Sequence, residues 1–111
     1  MKKVKVRPTQ RGFLKGEFTD LYGAKCSIQK SSLATDDAIW LGIDDADPQI
    51  MCSDAIRMGL RTITNTEADN GWCKYPLPKE VFLTTRMHLS KKEVKKLLPL
   101  LQKFVETGEL K

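Results

Sequence analysis

The run Ala38-Ile39-Trp40-Leu41-Gly42-Ile43 constrains this chain more than any other segment. Laid out as a strand it is apolar on both sides, with Ile39, Leu41 and Ile43 on one and Ala38 and Trp40 on the other. Such a strand belongs inside a covered sheet or at a subunit interface, because neither side gains from facing water. Asp44-Asp45-Ala46-Asp47-Pro48 then ends it. A chain of 111 residues is expected to form a single domain over residues 1–111, burying roughly 65% of its unfolded surface.

The rest of the first half also reads as strands. Val4 to Arg7 is a short edge candidate. Phe13–Thr19 and Ala24–Gln29 flank the turn signal Asp20-Leu21-Tyr22-Gly23 and should pair as a hairpin. Residues 48–80 form an irregular middle segment. Within it Ser53 is a candidate cap for a short helix running through Met58 and stopped by Gly59. Asn70-Gly71 marks a turn between Thr62–Thr66 and Trp72–Tyr75, after which Pro76 and Pro78 exclude regular structure up to Glu80.

The last third is sharper. Val81–Leu89 alternates, with Val81, Leu83, Thr85, Met87 and Leu89 on the buried side and Phe82, Thr84, Arg86 and His88 on the other. Ser90-Lys91-Lys92-Glu93 is a capping box. Behind it, Val94, Leu97, Leu98, Leu101, Phe104 and Val105 form one helical stripe, which Pro99 should kink and Gly108 should stop. The expected class is α+β: a small antiparallel sheet covered by a C-terminal amphipathic helix. The two-sided strand and the heavily apolar helix exceed what one short sheet needs, so self-association is expected.

Charge is segregated rather than spread. Lys2, Lys3, Lys5, Arg7, Arg11 and Lys15 come without an acid among them, and Asp36, Asp37, Asp44, Asp45, Asp47 and Asp54 without a base. The helix is basic again. This layout within a net charge of +5 suits head-to-tail association or a basic site for an anion. Nucleic acid is not an expected partner, since the acidic segment would repel its backbone. No apolar run approaches the ~18 residues a membrane span needs. Nor does an apolar stretch follow the basic start, so an intracellular protein without a signal peptide is expected. Cys26, Cys52 and Cys73 match neither a disulfide framework nor a zinc pattern. Reduced thiols are expected, and with them indifference to reductants and chelators.

The residues with chemical content cluster in two places. Lys30, Ser31, Ser32 and Thr35 crowd a cation and hydroxyls before the two-sided strand. They suit a phosphate or sugar edge, or simply a capped turn. Phe82, Thr84, Arg86 and His88 put a ring, a hydroxyl, a guanidinium and an imidazole in line, fit for a base and phosphate oxygens or for solvent. Trp40 reads as core. Trp72, after the Asn70-Gly71 turn, is the fairer candidate to stack on a ligand. Asp44, Asp45 and Asp47 fail as a calcium loop, with Gln49 where glycine and Ala55 where glutamate would stand. His88 is the lone histidine, so two-histidine hydrolysis lacks its second half. The expectation is a ligand-binding domain, not an enzyme, with no metal or cofactor.

Three blocks carry a family resemblance. Ser-Ile-Gln-Lys-Ser-Ser-Leu-Ala-Thr-Asp-Asp-Ala-Ile-Trp-Leu-Gly over Ser27–Gly42, Thr-Thr-Arg-Met-His-Leu over Thr84–Leu89, and Leu-Leu-Pro-Leu-Leu-Gln-Lys-Phe-Val-Glu-Thr-Gly-Glu-Leu over Leu97–Leu110 resemble small proteins of bacteriophages and prophages. Together they bracket nearly the whole chain from Arg11 onward. The chain resembles the first phage anti-Thoeris family. That resemblance implies a sponge that sequesters the cyclic ADP-ribose signal of a bacterial TIR-domain protein in the infected host's cytoplasm. Some members also bind cyclic oligonucleotides. It further implies dimers assembling into larger rings. It matches the family's ligand arginine to Arg86 and its asparagine to Asn70, and leaves the aromatic contact between Phe82 and Trp72. The competing expectation is a phage inhibitor that binds a host protein, anti-CRISPR-like, through its charged faces.

Overall fold

The computed structural model describes residues 3–60 and 71–111. In chain order its elements are β1 (Val6–Pro8), β2 (Leu14–Thr19), β3 (Lys25–Lys30), β4 (Ala38–Ile43), β5 (Gln49–Met51), α1 (Cys52–Arg57), β6 (Trp72–Lys74), β7 (Arg86–Ser90) and α2 (Lys91–Thr107). The chain divides into two compact units, Met1–Asp44 with Thr84–Lys111, and Asp45–Leu83. No helix among the described residues is long and apolar enough to cross a membrane.

The first unit is a five-stranded antiparallel sheet in the order β1-β2-β3-β4-β7, continued by α2. The class is α+β, as the alternation and the helical stripe indicate. The β2–β3 turn forms where Asp20 stands because its carboxylate accepts the N–H groups of Tyr22 and Ala24, each at 2.9 Å. Gly23 follows with φ 84°, a conformation that favours a residue without Cβ. Strand pairing places Phe18, Cys26, Ile28, Leu41, Ile43 and Met87 on one face. The opposite face carries Arg7, Lys15, Gln29, Trp40 and His88 in a single row across all five strands.

β7 is shorter than its sequence alternation. It begins at Arg86, not Val81, so Phe82 and Thr84 do not share its polar face. The reason lies in its partner: Arg86 pairs with Gly42, and β4 ends one residue later at Ile43. Upstream of Arg86 no strand edge remains, and the Thr85 hydroxyl donates instead to the Asp44 carbonyl at 3.1 Å.

α2 starts where the capping box stands. The Glu93 carboxylate accepts the Ser90 hydroxyl at 2.6 Å and the Ser90 N–H at 3.3 Å, which holds its pKa below the ordinary value. Asp37 adds a second clamp, taking Lys30 and Lys91 at 3.0 Å each and thereby tying the first residue of α2 to the turn between β3 and β4. The Lys30 bond first, then Lys91, keeps its carboxyl low. The helix runs unbroken through Pro99 and ends at Gly108, φ 75°. It touches the sheet chiefly through β7 and buries none of its residues: Leu101 and Phe104 are each 55% exposed. The apolar face of the sheet is open too. Met87, expected on a buried side, is 52% exposed, because α2 leaves that part of the sheet uncovered.

The second unit pairs β5 with β6 and sets α1 beside them. The sequence did not suggest β5. Met51, rather than Ser53, occupies the position before α1, and no side chain caps that helix. The Thr62–Thr66 strand lies outside the described residues.

Two of the cysteines overturn the expectation of free thiols. Cys52 and Cys73 form a disulfide, with Cα atoms 5.4 Å apart. The β5–β6 register brings them together by pairing Ile50 with Cys73 and Met51 with Trp72. Nothing local in a separation of 21 residues announces that. Cys26 alone stays a free thiol, buried, with its pKa pushed up by burial and by the Asp20 and Asp44 carboxylates. Closing a loop of this length is worth roughly 3 kcal/mol. Reduction, or Cys73→Ser, is therefore expected to lower the unfolding midpoint in urea, whereas Cys26→Ser responds to reductant as the parent does. A midpoint indifferent to reductant would show that the pair carries no stability.

Candidate functional site

On the polar face of the sheet, β4 presents Ala38, Trp40 and Gly42, a large ring between two minimal side chains. That pattern decides what its neighbours do. Arg86 stands opposite Gly42, and Gly42 stands opposite Ser27 on β3. With no side chain in the way, the guanidinium crosses β4. Its Nη1 donates to Gln29 Oε1 at 2.9 Å and to Ser27 Oγ at 3.3 Å. On the other side of Trp40, His88 passes over Ala38 and meets Ser31 Oγ at 2.8 Å.

Trp40 is thus bracketed by a cation and an imidazole. The Trp40 and His88 rings stack with centroids 3.9 Å apart and planes 9° from parallel. The Arg86 Cζ lies 5.7 Å from the Trp40 ring centroid, within cation–π range. Ser27, fully buried, passes the restraint onward by donating to Asp44 Oδ1 at 2.5 Å. Ser31 Oγ also accepts the Leu33 N–H at 3.1 Å, so this buried hydroxyl fixes the ring of His88 rather than standing open to a substrate.

These bonds hold Arg86 by one terminal nitrogen. Its Nε and Nη2 carry three further N–H donors in a planar fork suited to phosphate or carboxylate oxygens. Beside them stands the Trp40–His88 ring stack, with His88 its exposed member. The arrangement has the parts for gripping an anionic molecule.

Of the residues singled out by sequence, Arg86, His88 and Ser31 come together here. Lys30 faces the other way and is bound to Asp37. Ser32 and Thr35 lie exposed in the turn before β4, and Thr84 is exposed ahead of β7. Phe82 and Trp72 belong to the Asp45–Leu83 unit, 83% and 67% exposed. Asn70 falls outside the described residues. Trp40, read as core, is instead half-buried on the polar face. Ser27, Gln29 and Asp44 were missed as its framework. The small–aromatic–small alternation of Ala38, Trp40 and Gly42 is the signal that could have found them.

No protein family, curated protein or solved structure matches this chain.

The crossing at Gly42 has a clear test. A Cβ built there comes 2.9 Å from the Thr85 carbonyl oxygen and 3.0 Å from the Arg86 Cα, at a φ of 149°. Both obstacles are backbone. Gly42→Ala is expected to cost about 2–3 kcal/mol of stability, whereas Gly23→Ala, open on all sides, costs about 1 kcal/mol. Equal effects in urea unfolding would show that β7 does not depend on the approach.

Proposed function

We propose that this protein sequesters a small nucleotide-derived signal, a TIR-derived cyclic ADP-ribose, without cleaving it, and so blunts Thoeris immunity in the cytoplasm of an infected bacterium. The observation that carries the reading is the Arg86–Trp40–His88 arrangement, which offers fixed guanidinium donors beside an indole. The sequence resemblance supplies the ligand class. A sponge needs tight binding and no chemistry; nanomolar affinity is roughly −12 kcal/mol. Charge-assisted bonds to phosphate, with a stacked base, reach such values when the groups are held in place beforehand. Arg86 and His88 are so held, each by a hydrogen bond across β4.

The reading includes self-association. Leu98, Leu101, Phe104 and Val105 lie exposed along one helix, and Met87 and Ile43 on the sheet. A second copy covering both surfaces accounts for apolar area that a lone small domain does not leave open.

Incubation with the signal, followed by heating, tests the activity. The expected outcome is depletion from solution and release of the intact molecule. Returned product would mean an enzyme, and no depletion would remove the reading. Arg86→Ala is expected to weaken capture about 30-fold or more, at a stability cost of about 1 kcal/mol. Unchanged binding by a folded Arg86→Ala variant would refute the assignment.

Light scattering tests the second part. The parent is expected above the mass of one chain at micromolar concentration, and Leu101→Glu with Phe104→Glu is expected to shift it to one chain's mass. A monomeric parent would end that proposal.

A further inference from the structure

The row that contains Trp40 continues beyond it. Arg7, Lys15, Gln29, Trp40 and His88 are successive register partners across the sheet. Gln29 is the residue that holds Arg86, at 2.9 Å. Lys15 is therefore the immediate neighbour, on the far side, of the bond that fixes the guanidinium. Adjacent strands lie about 4.8 Å apart, which puts the Lys15 backbone about 10 Å from that of Trp40.

Two features mark Lys15 as more than a surface cation. Its side chain is only 29% exposed, so its stem lies along the sheet. Its acidic contact is loose: Glu17, itself 76% exposed, stands 3.8 Å away. Opposite Lys15 is not an acid but Arg7. Like charges directly across a strand pair are destabilising. Lys3, Lys5, Arg7 and Lys15 line one groove along this edge, with Glu17 the sole carboxylate among the described residues of its lining.

From this we infer that Lys15, backed by Arg7, is a second phosphate-binding residue of the same site. With Arg86 it forms a two-cation clamp across Gln29 for a pyrophosphate beside the Trp40–His88 ring stack. The inference rests on the proposed nucleotide-binding reading and adds what that reading lacks, a reason to prefer two linked phosphates over one. Arg7 contributes at longer range, raising the positive potential of the groove that the anion enters.

Titration calorimetry with cyclic ADP-ribose, ADP-ribose and AMP separates the two claims. The variants are Lys15→Ala, Lys15→Arg, and Lys15→Ala with Arg7→Ala, each checked by thermal melting. The parent is expected to bind both pyrophosphate ligands more tightly than AMP. Lys15→Ala should lose about 10- to 100-fold for those two and less than about 2-fold for AMP. Lys15→Arg should restore most of the loss, and the double variant should show a shallower salt dependence than the parent. If the parent binds none of the three, the nucleotide reading itself falls and the clamp with it. If the parent binds and Arg86→Ala loses affinity, but Lys15→Ala changes the pyrophosphate ligands no more than AMP, the clamp alone is overturned.

Discussion

The polar face depends on how closely β7 lies against β4. At Gly42 the two backbones approach until an added Cβ would sit 2.9 Å from the Thr85 carbonyl. The same missing side chain opens the passage through which Arg86 reaches Gln29 and Ser27. One glycine therefore sets both the strand pairing and the placement of the guanidinium. From there the restraint is passed on in short bonds, Arg86 to Ser27 and Ser27 to Asp44, which also accepts Thr85 through its carbonyl. A cation held this way has surrendered its rotamer freedom before any ligand arrives. That entropy, ordinarily lost on binding by a long side chain, is already spent in folding.

Much of the first unit was legible because its causes are local. The Asp20–Gly23 turn, the span Ala38–Ile43, the Ser90–Glu93 box and the Gly108 stop each depend on a few adjacent residues whose chemistry allows little else. The failures have the opposite character. Val81–Leu89 alternates well enough to be a strand, but β4 offers no edge beyond Ile43 for its first half. The Cys52–Cys73 bond depends on β5 pairing with β6, a contact that neither short segment signals. Trp40 was misjudged for a related reason. Its face is defined by His88 and Arg86 on another strand, and only the register between β4 and β7 brings them beside it.

The helix repeats that lesson at a larger scale. Periodicity located the apolar stripe of α2, but periodicity says which side is apolar and not what lies against it. The sheet contact is made largely where β7 leads into the helix, and the stripe beyond Val94 stays exposed. Asp37 matters in that setting. With little apolar contact to fix the angle at which α2 leaves the sheet, the ion pairs to Lys30 and Lys91 fall to exposed groups that salt screens.

Cys26 has a use that its burial creates. With Cys52 and Cys73 joined, it is the one free thiol among the three cysteines, lying on β3 between β2 and β4 with 4% of its surface exposed. An alkylating reagent reaches it only when the groups that cover it move aside, and only as thiolate, which its raised pKa makes scarce. The rate at which it is labelled thus clocks the local opening around β3, the strand that anchors Arg86, with no probe added to the molecule.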